Sequence, residues 1–237
     1  MTALLLVTVL AIAAAMVQGS IGFGLALVMA PLLALIDPAF VPAPLLMASF
    51  PLSVLVVARE WRAVDLGDVP WAIAGRFPGT AIGAVAVASV PSRELQVLVA
   101  VCVIIAVALS LVPAVDIRPR PATLLGAGVI SGFMGTAASV GGPPIALLYQ
   151  RSPGPRIRAT LALYFVFGTA ISLGALWLAG AVGAHELRLA VELLPGTLAG
   201  FALSGLVKGR LDRGLMRTTV LWFAAVSALV LLGLAVR

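Results

Sequence analysis

The residues of this chain that can do chemistry are few, and most stand beside glycines in apolar surroundings. QGSIGFG, residues 18–24, places Gln18, Ser20, Gly19, Gly22 and Gly24 inside an apolar run from Ala3 to Ile36. SGFMGTAASVGG, residues 131–142, places Ser131, Ser139, Gly132, Gly135, Gly141 and Gly142 in a second such run. Hydroxyls, together with backbone N–H groups freed where a helix breaks and restarts, are the donors that replace the water shell of an oxyanion. Two ionisable residues, Arg76 and Glu192, fall inside other apolar segments, where a charge needs a partner or a role. Arg76 can attract or pass an anion, or draw its head back to the interface, and the residues do not choose between these. Glu192 can carry a proton, but pairing with Arg188 one turn earlier is the preferred reading. Thr80 and Thr197 each follow Pro-Gly, in PGTAIG and PGTLAG, as hinges, lining positions or plain kinks.

Covalent catalysis lacks its parts. A nucleophile needs a base, and a metal needs several ligands, yet the chain has one histidine, His185 in a loop, one cysteine, Cys102 in an apolar run, and no acidic pair inside an apolar segment. An enzyme, a cofactor and a metal site are not expected. No Walker A loop occurs, so any driving force comes from an ion gradient or a separate partner.

The elements that must carry these residues are membrane helices. Hydrophobic residues make up 62% of the 237 and charged residues 10%, a balance no soluble domain shows. Apolar runs near the length of a bilayer-spanning helix recur along the chain, each ended by Pro, Gly or charge. The net charge of +6 is dispersed in short clusters between them, which excludes a nucleic-acid surface and suits membrane topology. The first 19 residues resemble a secretory signal but lack its basic start, and an equivalent segment recurs later, so they read as mature structure.

The recurrence is an internal duplication. At an offset of 113, Gly19, Gly22 and Pro31 fall on Gly132, Gly135 and Pro144; at 116, Trp61 falls on Trp177; at 117, PGTAIG falls on PGTLAG. The expected organisation is a first membrane repeat at 1–112, a charged, proline-rich connector at 113–121 and a second repeat at 122–237. Each repeat reads as a glycine-broken hairpin plus three transmembrane helices: 3–18 with 24–36, then 42–59, 69–90 and 94–112; and 122–134 with 143–150, then 158–180, 187–206 and 215–236. The restart in the first hairpin falls at Gly24 or nearer Pro31.

Charge decides whether each broken segment crosses once or returns. If both return, one side collects Arg59, Arg62, Arg118, Arg120, Arg151, Arg156, Arg158, Lys208, Arg210, Arg213 and Arg217, and the other keeps Arg93, Arg188 and Arg237. That asymmetry obeys the positive-inside rule, whereas single crossings divide the same residues almost evenly. A run of 34 residues would also make a rod of roughly 50 Å, too long for one crossing. The fold class is therefore all-α integral membrane protein with two inverted-topology repeats, both termini outside the cytoplasm, and broken tips brought together near the midplane. The substrate-binding candidates are Gly19, Ser20, Gly22, Gly24, Gly132, Gly135, Ser139, Gly141, Gly142 and Arg76; Gln18, Thr80, Ser131, Glu192 and Thr197 are coupling or gating candidates. Glycines packing helix against helix are the competing reading. The charges of RSPGPRIR, residues 151–158, are expected only to fix orientation.

GSIGFGLALVMAPLLALIDP and GVISGFMGTAASVGGPPIALLYQ, each opening a half, resemble the duplicated glycine-rich signature of the sulfite exporter TauE/SafE family, also called the toluenesulfonate uptake permeases. The resemblance extends over the whole chain. It implies a bacterial inner-membrane permease for sulfite, organosulfonates or related sulfur-containing anions, coupled to protons, with the motif glycines at Gly19, Gly22, Gly24, Gly132, Gly135, Gly141 and Gly142. GTAASVGG departs from a more uniformly glycine-rich second motif. A secondary transporter is the leading function; a passive anion channel or a membrane-embedded accessory subunit is the alternative. A homo-oligomer in lipid is compatible with either.

Overall fold

The structure, a computed structural model, describes residues 2–112, 118–207 and 213–236. Among these residues it contains ten α-helices, two short 3-10 turns and no strand. The first five are α1 (Thr2–Ile21), α2 (Leu25–Ile36), α3 (Ala43–Glu60), α4 (Val69–Ser89) and α5 (Ser92–Leu111). The second five are α6 (Pro121–Ala138), α7 (Gly142–Leu148), α8 (Gly154–Leu178), α9 (Ala184–Val207) and α10 (Arg213–Ala235). Seven helical segments, those of α3 to α6 and α8 to α10, are long and apolar enough to cross a bilayer. The chain is a multi-pass membrane protein. Of the expected features, connector residues 113–117 and the charges Lys208, Arg210 and Arg237 lie outside the described residues.

The helix boundaries follow the punctuation of the sequence, which the structure resolves at the first break and departs from at the second. The first hairpin restarts at Leu25, because Gly22 and Gly24 adopt φ of 105° and 127°, and Pro31 rides inside α2. In the second hairpin α6 continues to Ala138 instead of stopping near 134. It ends where Ser139 turns left-handed at φ 63°, with the Val140 N–H closing back on the Met134 carbonyl at 3.2 Å. Gly135 therefore belongs to a helix face.

Lipid gives no hydrophobic drive for one apolar helix to bind another, so small residues that admit close backbone contact must do it. The Pro-Gly-Thr segments supply them. α4 packs along α6, and α9 along α1. A Cβ placed on Gly79 would lie 2.9 Å from the Phe133 backbone nitrogen, and one on Gly196 2.8 Å from the Thr8 carbonyl oxygen. α3 packs on α8 and α9, and α5 on α10. The buried core runs through both halves, from Val7, Leu25 and Leu45 to Val103, Leu193 and Leu231, while Leu178, Trp177 and Trp222 turn outward, as lipid-facing positions should.

Candidate functional site

Both helix breaks line one small cavity of about 40 Å³ in the interior of the bundle. Gln18, Phe23, Gly24 and Leu27 come from the first hairpin; Gly135, Ser139, Gly141, Gly142 and Pro143 from the second. α3 adds Ser49 and Ser53, α4 adds Arg76, and α8 adds Phe165 and Thr169. The volume is room for about three water-sized positions, the scale of a small polyatomic ion. Phe23 and Pro143 also wall an apolar cavity of about 440 Å³ that reaches Val112, Gln150 and Thr218.

Arg76 dominates the electrostatics. Seven residues into α4, it is 2% exposed, so the snorkelling alternative is excluded: its guanidinium turns into the bundle and not to the interface. It fits because α8 and α6 leave space. A Cβ on Gly168 would stand 2.6 Å from Nε, and one on Gly135 2.7 Å from Nη2. Nε donates to the Gly168 carbonyl at 3.1 Å, Nη1 to the Tyr164 hydroxyl at 3.1 Å and to Ser131 Oγ at 3.4 Å, and Nη2 to Ser172 Oγ at 3.0 Å. Tyr164 lies beneath the guanidinium at 5.1 Å and donates to Ser131, which donates to the Gly141 carbonyl at 2.5 Å. Thr136 joins Ser172 at 2.8 Å and donates to Thr80 at 3.3 Å. All of these acceptors are neutral; among the described residues no carboxylate pairs with Arg76. A buried cation without a counter-ion is costly, and the polar cage offsets only part of that cost.

The other lining groups divide into donors and acceptors. Gln18 Oε1 accepts from the Leu25 N–H at 3.3 Å, which fixes the amide's orientation and leaves Nε2 without a partner among the described residues. Ala26 and Leu27, in the first turn of α2, also reach the cavity; their N–H groups belong to the set a helix start leaves unpaired. Thr169 is 3% exposed, and among the described residues its hydroxyl has no hydrogen-bond partner. Ser139 was expected as a hydroxyl donor, but it gives its proton to the Pro42 carbonyl at 2.9 Å and so offers the cavity an oxygen.

Several expected residues sit elsewhere. Gly19 is a packing position: its carbonyl accepts from Arg59 Nη2 at 2.5 Å, and a Cβ would run into Ser204. Ser20 bonds back to the Met16 carbonyl. Gly22 abuts Arg158, and Gly132 packs on α4 beside Thr80. Thr197 returns its hydroxyl to Leu193 and Leu194. The expected Arg188–Glu192 pair does not form, and neither residue lines the cavity. The acid lies C-terminal to the base, the weaker order for such a pair. His185 is exposed, as expected.

The charges of residues 151–158 do more than orient the chain. Arg158 bonds Glu60 at 3.0 and 3.1 Å with both side chains nearly buried, and Arg156 pairs with Asp65. The correction follows from the fold, which lays the α3–α4 connection, with its carboxylates, against the first turns of α8. Arg59 adds bonds to Gly19 and Ser204 and stacks on Phe201 at 4.7 Å. Tyr149 donates to Asp68 at 2.8 Å, and burial together with that bond pushes its phenol well above the ordinary range.

Ser49, Ser53, Tyr164, Thr169 and Ser172 were not anticipated. The 116-residue offset that pairs Trp61 with Trp177 also pairs Ser53 with Thr169, and this was the available signal. Neither the comparison with curated proteins nor that with solved structures finds a match. The family model described as sulfite exporter TauE/SafE matches residues 7–231, nearly the whole chain, and the expectation raised by the two glycine signatures is met. The chain belongs to the sulfite exporter TauE/SafE family of membrane transporters.

Proposed function

We propose that the protein is a secondary transporter of sulfite, an organosulfonate or a related small sulfur-containing anion in the bacterial inner membrane, working by alternating access and coupled to protons. The observation that carries this reading is Arg76: a buried guanidinium, held by neutral groups, at a cavity where two helix breaks converge. The anion supplies the missing negative charge and takes its hydrogen bonds from Gln18, Thr169, Arg76 and the first turn of α2. Gly24, Gly141 and Gly142 shape the two breaks beside it, Gly135 makes room for the guanidinium, and Ser131 links Arg76 to the second break. A cavity this small, formed where both helix breaks meet three further helices, supports a carrier over an open channel.

Alternating access needs two units that rock against each other, and we read 1–112 and 122–237 as inverted repeats joined by a cytoplasmic connector at 113–121. The exchange of partners supports this. α4 packs on α6 and its counterpart α9 on α1; α2 packs on α10 and α7 on α5; α3 meets α8, and α5 meets α10. With both hairpins returning, the termini lie on the periplasmic side.

The test is uptake of labelled sulfite into liposomes containing the purified protein, with and without an imposed pH gradient. Accumulation above the outside concentration, lost in Arg76→Gln, is the expected result. Flux without counterflow of labelled against excess unlabelled internal sulfite points to a channel, and no flux in vesicles holding folded protein points to an accessory subunit.

A further inference from the structure

The charge and the proton bookkeeping of the cavity together restrict which ion it takes. The guanidinium of Arg76 is the positive charge at the cavity. The ionisable groups on the elements packed around it are few. α1, α2, α6 and α7 carry none. α8 presents Tyr164, with Arg156 and Arg158 near its start engaged by Asp65 and Glu60. α4 follows Asp68, which accepts from Tyr149, and α3 has Arg59 and Glu60 at its far end. Among the described residues, Arg76 is the one ionisable group that lines the cavity.

Three serine hydroxyls at the cavity have already given their protons away: Ser49 to the Leu46 carbonyl at 2.9 Å, Ser53 to the Ser49 carbonyl at 3.1 Å and Ser139 to the Pro42 carbonyl at 2.9 Å. Each presents lone pairs. A dianion brings a second charge and no donor, whereas hydrogen sulfite brings one charge and a donor for one of these oxygens; a sulfonate meets the charge condition alone. On the other side, Gln18 Nε2, the Thr169 hydroxyl and the fifth N–H of Arg76 are unspent donors.

We propose that the cavity selects singly charged oxyanions, that sulfite is carried as hydrogen sulfite, and that the coupled proton travels on the substrate instead of on a protein carboxylate. The proposal rests on the anion-transporter reading above. One negative charge neutralises Arg76, and a second would be buried without a counter-ion. The balance is simple. Sulfite dianion takes up a proton on the loading side, hydrogen sulfite crosses, and the same proton dissociates on the far side. Glu192, outside the cavity, has no part in it.

The test compares labelled sulfite with labelled methanesulfonate in proteoliposomes held at equal inside and outside pH, from acidic to alkaline. Methanesulfonate is a monoanion throughout. Its flux should stay level, while sulfite flux at fixed total concentration should fall with the monoanion fraction, about tenfold per pH unit once the dianion predominates. Glu192→Gln should leave both profiles unchanged. Parallel decline of the two fluxes overturns the proposal by placing the titrating group on the protein, and a level sulfite profile overturns it by showing that the dianion is carried. Thermal unfolding in detergent separates this from failure of the transporter reading. Methanesulfonate should raise the midpoint of the wild type but not of Arg76→Gln, and sulfate should stabilise the two equally. If binding follows that pattern while neither anion is transported, charge selection stands and the transporter reading fails; sulfate stabilising the wild type more than the variant overturns charge selection.

Discussion

Replacing Arg76 by glutamine tests the electrostatic reading most directly, because stability and function should move in opposite directions. The guanidinium is 2% exposed and makes four hydrogen bonds to neutral oxygens with no carboxylate among them. Its charge therefore carries a desolvation penalty in the empty protein that a neutral amide of similar reach avoids. An anion about 4 Å from the guanidinium, at an effective dielectric near 20, is attracted by about 4 kcal/mol. Losing that attraction weakens binding by a factor on the order of 10³. The variant should unfold at the same temperature as the wild type or higher in the absence of anion, and lose the thermal shift that substrate gives the wild type. Its KM for sulfite should rise beyond reach, with Arg76→Lys recovering part of the flux, since an ammonium keeps the charge but not the four-point cage. Wild-type uptake by Arg76→Gln in vesicles containing folded protein would refute the reasoning.

Further outcomes can be checked alongside it. Tyr164→Phe removes the hydroxyl that accepts from Arg76 at 3.1 Å and leaves that donor a 3.4 Å partner; a stability loss of about 1–3 kcal/mol and a raised KM are expected from thermal unfolding and uptake curves. Gly79→Ala drives a methyl against the α6 backbone, 2.9 Å from the Phe133 nitrogen, and should destabilise by about 1–3 kcal/mol. Gly174→Ala, in α8 with open space around it, should be neutral or better in the same melt. Asp65→Asn breaks the pair with Arg156, whose side chain is half exposed, and should move the unfolding midpoint little, by the equivalent of about 0–1 kcal/mol.

The helices were legible because lipid imposes a strict grammar: long apolar runs, with charge, Pro or Gly at their ends. The breaks were legible for the same reason, since Gly22, Gly24, Gly141 and Gly142 interrupt runs that would otherwise continue. Gln18, Gly24, Arg76, Gly135, Ser139, Gly141 and Gly142 were singled out from sequence and all line the cavity. The serines and threonine of α3 and α8 were not, because a hydroxyl in an apolar helix ordinarily bonds its own preceding turn, as Ser53 does to Ser49, and nothing local marks which face it shows. Packing partners were harder still. Gly19 and Gly132 have the same neighbours in sequence as the cavity glycines, and only the approach of α9 and α4 makes them contacts between helices. The pairing of Glu60 with Arg158 joins residues 98 apart and has no sequence signature.

That last pair bears on how the cavity opens. Glu60 ends α3 in the first half, and Arg158 lies in the first turns of α8 in the second; their side chains are 7% and 3% exposed. Asp65 with Arg156 and Asp68 with Tyr149 reinforce the same seam between the halves. If the halves rock as proposed, the seam parts in the state open to the side that the proposed topology makes cytoplasmic, so its strength sets how rarely that state is visited. Removing one partner would strand a buried charge and confound the result; Glu60→Ala with Arg158→Ala removes both and leaves Arg59, which also stands 3.9 Å from Glu60, to its bonds with Gly19 and Ser204. A seam weaker by about 2 kcal/mol raises the open population roughly thirtyfold. The readout is a cysteine at Ser53, in a Cys102→Ala background, challenged from the cytoplasmic face by a membrane-impermeant thiol reagent. Cys102 is buried and is the chain's single cysteine, so the background carries no competing thiol. The labelling rate should rise tenfold or more in the double variant and fall back when substrate holds the cavity occluded. An unchanged rate in folded protein would mean that the seam only staples the fold, and that the cavity opens elsewhere.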